Sequence, residues 1–307
     1  MIAFSTNWNA SRHYNGAKIV EEILGMGFDT LELGHGLSVS QLQGIREAYA
    51  GGGFKVISIH NFCPMPVEVL NDNPDCYEFT SHRESERERA IKLTLQSLAT
   101  AKEFGASFLV LHLGRILPLR GMTRSLLQRL EQNGVAGKDY NQLKLAAVRK
   151  REQHARVFLN RMNESLEILL EEAVNLGVTL VVENRSNYEA VPTERELLAL
   201  LKRFDSPHLR YWHDFGHAQM RHNMGLLDHE QWLRQIAPYA AGAHLQDTAW
   251  PDEDHRVPFE GDIPFDRLVP LLPLSFPYIL ELSPEATPES IKAAVTRWKT
   301  LFAHNES

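Results

Sequence analysis

Eight short, almost uninterrupted apolar runs recur along this chain, each followed by a longer stretch whose apolar residues return every three or four positions. The runs are IAFST from Ile2, TLELG from Thr30, VISIH from Val56, FLVLH from Phe108, TLVVEN from Thr179, LRYWHD from Leu209, GAHLQD from Gly242 and YILELS from Tyr278. Strands with so little polar alternation must be covered on both faces, as in a parallel sheet. The helical periods predict helices over Gly16 to Gly25, Ser38 to Ala50, Ser85 to Phe104, Ala155 to Leu176, Thr193 to Phe204, His229 to Ala237, Phe265 to Leu272 and Pro288 to Phe302. Start and stop signals support them: Thr193 and Glu196 have capping-box spacing, and Gly105 and Gly177 stand just before the next strand. Eight strand-then-helix units with no Ser/Gly/Pro-rich linker between halves predict a closed (β/α)8 barrel over residues 1–307, as one domain. A doubly wound sheet with a lid is the alternative.

One connection is too long for this economy. Between Arg115 and about Arg156 the chain uses far more than the few residues a βα loop needs, which predicts an insertion at the barrel mouth after strand four. Residues 115–156 carry ten Lys and Arg against Glu131, Asp139 and Glu152, so the segment is +7 within a chain of net charge −7. It reads either as a solvated helical face or as a lid that attracts an anionic substrate. The overall negative balance disfavours nucleic acid as a partner. No apolar run approaches the ~20 residues that cross a bilayer. The start MIAFSTNWNA lacks a basic-then-apolar leader pattern, and two cysteines make no disulfide framework, so a cytoplasmic, reduced enzyme is expected. Assembly into a homo-oligomer is left open.

In a barrel of this kind, function gathers where the strands end at their carboxyl side. Those ends supply Glu32, His60, His112, Glu183, Asp214, His244 and Glu281, one ionisable group on seven of eight strands. His, Asp and Glu account for 53 of the 307 residues, so chance gives this pattern roughly once in a few hundred such chains. Carboxylates and imidazoles converging on one apolar cup require a neutralising cation. Glu183, Asp214, His244 and Glu281 form the strongest set. Three carboxylates and one imidazole suit one divalent metal ion, Mn²⁺, Mg²⁺ or Co²⁺, with positions left for substrate oxygens; Zn²⁺ is the alternative if His60, His112 and His255 join. Trp8, Phe62, Trp212 and Trp250 fall near expected mouth loops and either pack there or stack on a ligand. Cys63 reads as a buried bystander, and His82, His154, His222 and His229 as surface residues.

The motifs VVENR, YWHDFGHA, AHLQD followed by DEDHRVPFEGDIPF, and ILELS resemble those of the xylose-isomerase-like TIM barrel family. That family contains sugar isomerases and epimerases, polyol dehydratases and zinc-dependent endonucleases acting at abasic DNA sites. The resemblance spans the eight-unit layout apart from the basic insertion. It implies that Glu183, Asp214, His244 and Glu281 hold the metal, that the two glutamates also exchange protons with substrate, and that Glu189 and His217 bind sugar hydroxyls. Arg185 and Arg256 are further candidates for substrate contact. Trp250 stands where relatives often carry an Arg, six residues after the strand-seven His. The expected chemistry is proton transfer to and from a sugar, or sugar phosphate, through an enediolate that the metal stabilises. The endonuclease alternative draws on His60, His112 and His255, but Glu253 occupies the place of an Asp in that pattern. A barrel that only binds a small molecule would need no pair of proton-transfer groups.

Overall fold

The computed structural model describes residues 1–70 and 73–302. Its parallel strands are β1 (Ile2–Ser5), β2 (Thr30–Leu33), β3 (Lys55–His60), β4 (Phe108–Leu111), β5 (Thr179–Glu183), β6 (Leu209–Asp214) and β7 (Ala240–Leu245). A short antiparallel hairpin follows, β8 (Asp247–Ala249) with β9 (Glu253–Arg256), before the last barrel strand, β10 (Tyr278–Leu280). β10 pairs with both β1 and β7, which closes an eight-stranded barrel. All eight predicted strands are barrel strands.

The helices are α1 (Gly16–Gly25), α2 (Val39–Ala50), α3 (Glu84–Glu103), α4 (Met122–Asn133), α5 (Lys138–Leu176), α6 (Glu194–Phe204), α7 (Phe215–Asn223), α8 (His229–Ile236), α9 (Phe265–Leu268) and α10 (Pro288–Phe302). They bury the outer faces of the strands. In α1, for example, Ile19, Val20 and Ile23 lie on one stripe and are fully or almost fully shielded from solvent. Among the described residues, no helix is long and apolar enough to cross a membrane.

Two sequence expectations are corrected here. The helix expected from Ala155 starts at Lys138 and runs for 39 residues, about 58 Å at 1.5 Å per residue. Much of the long connection is therefore helical hairpin, α4 against the first half of α5. Seven of its ten basic residues, including Arg120, Arg124, Arg149 and Lys150, are exposed, as on a solvated helical face. Arg151 is the exception: buried, it donates to the Tyr188 carbonyl (2.8 Å) and to Glu196 (2.6 Å). Sequence periodicity also missed α7. That helix leaves β6 with no intervening loop, because the Asp214 side chain accepts from the His217 backbone N–H (2.6 Å) and caps it.

Strand alternation builds the interior. Ala3, Val110, Val181, Trp212 and Ile279 pack as one buried cluster inside the barrel. Two residues further along their strands, on the same inward face, come His112, Glu183, Asp214 and Glu281. Trp212 fills the interior because β7 offers Gly242 opposite: a Cβ there would lie 2.3 Å from the indole. The indole ring meets His244 edge-on at 5.6 Å, so it floors the mouth rather than lining a ligand groove.

Candidate metal centre

Glu183, Asp214, His244 and Glu281 are all buried, and one ligand atom from each lies within 4.8 Å of all the others. His244 is the hub. Its Nδ1 stands 3.1 Å from Glu183 Oε1, 3.0 Å from Glu281 Oε2 and 3.7 Å from Asp214 Oδ2, while Nε2 reaches Glu32 Oε2 at 3.2 Å. Two neighbouring amides and a hydroxyl orient the carboxylates. Gln246 Nε2 donates to Asp214 Oδ2 (2.8 Å), Asn7 Nδ2 to Glu281 Oε1 (2.8 Å), and Ser58 Oγ to Glu32 Oε2 (2.7 Å).

Electrostatics explains why so many ionisable groups tolerate burial. Desolvation pushes the Glu183 and Glu281 carboxyls up, but the imidazoles facing them, His244 above all, hold both well below the usual carboxylate range. Burial works against the His244 cation, yet Glu281, Glu32 and Glu183 together raise its pKa well above an ordinary histidine. Asp214 is raised, by burial and by the nearby Glu183 charge, against the pull of His217. The cluster is thus an acceptor-rich cage in which a proton on His244 balances part of the negative charge. A divalent cation fits the same demand better, because three carboxylates and one imidazole present hard donors to a single point.

A second group shares Glu183. His60, His112 and Glu183 also bring ligand atoms within 4.8 Å of one another. Glu183 Oε2 is 2.7 Å from His112 Nε2 and 3.4 Å from His60 Nε2. The Arg185 guanidinium enters here, donating from Nη1 to His112 Nε2 (2.6 Å) and from Nη2 to Asp75 Oδ2 (3.2 Å), while His112 Nδ1 meets Asp75 Oδ1 (2.9 Å). Burial first, then Arg185, lowers the His112 pKa. With Nδ1–H donating to Asp75, His112 Nε2 accepts from Arg185 Nη1, so this second point already has a cation beside it.

The remaining expected residues are placed as follows. His217 borders the main cluster, with Nδ1 3.2 Å from Glu183 Oε1 and 3.0 Å from the Asn184 carbonyl. Glu189 has its carboxylate engaged at the N-terminus of α4, accepting from Gly121 N (3.2 Å), Thr123 N (3.1 Å) and the Thr123 hydroxyl. It supplies the cap that Gly121, with no side chain, lacks. His255 lies on the hairpin, paired with Asp254 (3.1 Å), outside both ligand groups; burial opposes its cation, but Asp254 and the charges of Glu281 and Asp214 raise it to about 9. Arg256 pairs with Glu253 (2.6 Å) on that same hairpin, and Trp250 is half exposed at its turn. Trp8 and Phe62 are buried packing residues, and the Trp8 indole donates to the Ala286 carbonyl (2.9 Å). Cys63 is buried, its thiol pushed up to about 12 by desolvation.

His229 corrects the sequence reading. It is buried, 3.1 Å from His213 Nε2, because α8 packs against α7 and its His229 and Trp232 side chains reach His213 and Tyr211 of β6. Sequence reasoning also missed Asp75, Asn7 and Gln246. Gln246, two residues after His244 inside AHLQD, was legible as a strand-end neighbour; Asp75 comes from a loop and Asn7 from a single 3-10 turn after β1, and no periodicity reports their reach.

The sequence model of the xylose isomerase-like TIM barrel family matches residues 20–299. The chain belongs to that family. No curated protein matches it at a significant level. Among solved structures it is similar to a D-tagatose 3-epimerase-like protein (16% identity, 99% of this chain and 97% of that one, TM-score 0.70). It is also similar to 3-keto-D-glucoside 4-epimerase, YcjR, from E. coli (16%, 97% and 98%, TM-score 0.67) and to a D-psicose 3-epimerase solved in the presence of D-fructose (13%, 98% and 98%, TM-score 0.65).

Proposed function

We propose that this protein is a divalent-metal-dependent sugar isomerase or epimerase in which Glu183 and Glu281 move the proton. The observation that carries this reading is the placing of two buried carboxylates, held ionised, at 3.1 and 3.0 Å from the same imidazole nitrogen. Glu183, Asp214, His244 and Glu281 would hold the ion. When bound, it would polarise a sugar carbonyl and the adjacent hydroxyl, which acidifies the C–H of the hydroxyl-bearing carbon. Glu183 or Glu281 takes that proton, and return by the other to the opposite face inverts the carbon. Return to the former carbonyl carbon, with the hydroxyl proton passing to the former carbonyl oxygen, instead moves the carbonyl. Asn7 fixes the rotamer of Glu281, His217 that of Glu183, and the Trp212 floor keeps water from beneath. The structural neighbours that are epimerases of free sugars support the assignment of substrate class. A dehydratase would share the first proton abstraction and is separated by its product.

Solvent-deuterium incorporation into a panel of keto sugars tests the assignment. Glu183→Gln and Glu281→Gln should each retain weakened metal binding while exchange falls on the order of 10³-fold. Exchange that persists in either variant removes that glutamate from the role.

A second reading, zinc-dependent cleavage of DNA at abasic sites, is favoured by one observation: the His60, His112 and Glu183 group next to the first. Arg185, 2.6 Å from His112 Nε2, opposes a further cation there, and Glu253 is exposed on the hairpin. Two or three zinc ions per chain would favour this reading; one ion favours sugar chemistry.

A further inference from the structure

We propose that Arg185, with His112, forms a carboxylate subsite now filled by the protein's own Asp75, so that the substrate is a keto sugar bearing a carboxylate group. This rests on the metal-dependent sugar reading above and narrows its substrate class.

Asp75 belongs to no strand end. It sits in the long connection between β3 and α3 and reaches across the mouth to residues 37 and 110 positions away in sequence. Its two oxygens are used in parallel, Oδ1 against His112 Nδ1 (2.9 Å) and Oδ2 against Arg185 Nη2 (3.2 Å). A planar anion thus bridges two donors that are themselves fixed, since Arg185 Nη1 also grips His112 Nε2 and that nitrogen stands 2.7 Å from Glu183. The subsite is therefore one side chain away from the proposed proton-transfer carboxylate. A second guanidinium, Arg115, adds to the positive field at Asp75, though its direct partner is Glu78. Such a constellation recognises a carboxylate through charge-assisted hydrogen bonds.

Two features favour exchange of Asp75 for a ligand. The Asp75 side chain is 24% exposed, against 5% for His112, so Asp75 is the member of the pair that solvent reaches. A pocket lined by Asp75, Arg115, Arg185, Asn187 and Glu189 adjoins the same carboxylate. A ligand anion enters by taking the place of the Asp75 carboxylate, and because the two donors are already spaced to share the two oxygens of a planar carboxylate, that is the anion they fit.

Calorimetry on the Mn²⁺-loaded protein tests this with three probes: 2-keto-D-gluconate, D-fructose, which differs from it in carrying CH₂OH in place of the carboxylate, and D-fructose 1-phosphate. The keto acid should bind about tenfold more tightly than D-fructose. Asp75→Ala should tighten the acid by about a further tenfold, by removing the internal competitor, and leave D-fructose within about twofold. Asp75→Asn, which keeps the shape and removes the charge, should shift in the same direction. Arg185→Met should abolish the preference for the acid. Equal binding of acid and D-fructose, or an acid affinity unchanged or weakened in both Asp75 variants, overturns the subsite while leaving the metal-dependent sugar reading intact. Preference for the phosphate overturns the carboxylate assignment. If Mn²⁺ binds but none of the three sugars does, both readings fall.

Discussion

Two buried groups of histidines lie on opposite faces of the barrel sheet and differ in charge. His244 points into the barrel among Glu32, Glu183 and Glu281, which raise its pKa well above the ordinary value. His213 is next to Asp214 on β6 and points outward, where it meets the Tyr211 hydroxyl (2.7 Å) and His229 (3.1 Å). Burial, and then the neighbouring imidazoles, hold His213 well below the usual histidine range; burial pushes His229 down to about 3. Residue type and burial are the same in both places. What differs is the partner: carboxylates make a cavity that attracts cations, whereas imidazoles, a phenol and the Gln219 amide (3.2 Å from His229 Nδ1) make a neutral hydrogen-bonded brace. That brace continues through Tyr211 to Asn184 Oδ1 (2.7 Å), and the same oxygen accepts from the Asp214 backbone N–H (2.8 Å).

The sharpest way to break the comparison is acid. Because the folded pKa of His229 is depressed, the unfolded chain binds the proton first, and the stability present above pH 6.5 is lost as pH falls toward 3. At 1.36 kcal/mol per unit, this one residue removes about 3 kcal/mol between pH 7 and pH 4.5. His229→Gln keeps a hydrogen-bonding group but does not titrate. Denaturant melts at the two pH values should therefore show a smaller acid loss in the variant, by about that amount. An equal loss would mean that His229 is not held neutral.

A smaller effect is expected from the inner face alone. Gly242→Ala places a methyl against the Trp212 ring, which the 2.3 Å approach cannot accommodate without movement. Overpacking of this kind costs about 2 kcal/mol. Because Trp212 meets His244, the cost should come with a changed indole fluorescence and weaker Mn²⁺ binding, while the His213–His229 brace keeps its acid response. Unchanged metal affinity would show that the floor does not position His244.

The two faces were not equally legible in the sequence. The barrel was, since eight apolar runs and their helical intervals carry its whole logic, and because period-two alternation places Val181 and Glu183, or Trp212 and Asp214, on one face. The same alternation placed the four candidate ligands together at strand ends. It said nothing of His229, which lies on α8 beside polar residues and is buried only because of what packs over it. Asp75 and Asn7 were hidden for a related reason: their contacts span 37 and 274 residues and depend on how a loop and a short 3-10 turn sit over the barrel mouth. Glu189 shows the converse. The family resemblance implied a sugar contact for it, but Gly121 left α4 without a side-chain cap, and the Glu189 carboxylate meets that need.

The finest distinction concerns Gln246, which belongs to the inner face yet carries no charge. Its Nε2 donates to Asp214 Oδ2, and its Oε1 accepts from the His255 backbone N–H, so the amide ties the hairpin to the candidate metal centre. Its side chain also packs against Gly216, where a Cβ would lie 2.6 Å from the amide oxygen. Removing a group that orients a ligand carboxylate typically costs 10- to 100-fold in metal affinity. Since Asp214 keeps the His217 N–H as a second orienting bond, we expect Gln246→Ala to sit at the low end, about tenfold in Mn²⁺ affinity by titration. Gln246→Glu should be worse for a different reason, because a fourth carboxylate would compete for Asp214's donors and lose its own hydrogen bond. If both variants bind Mn²⁺ as the parent does, Asp214 is positioned by α7 alone, and the cavity's affinity for cations owes nothing to the hairpin beside it.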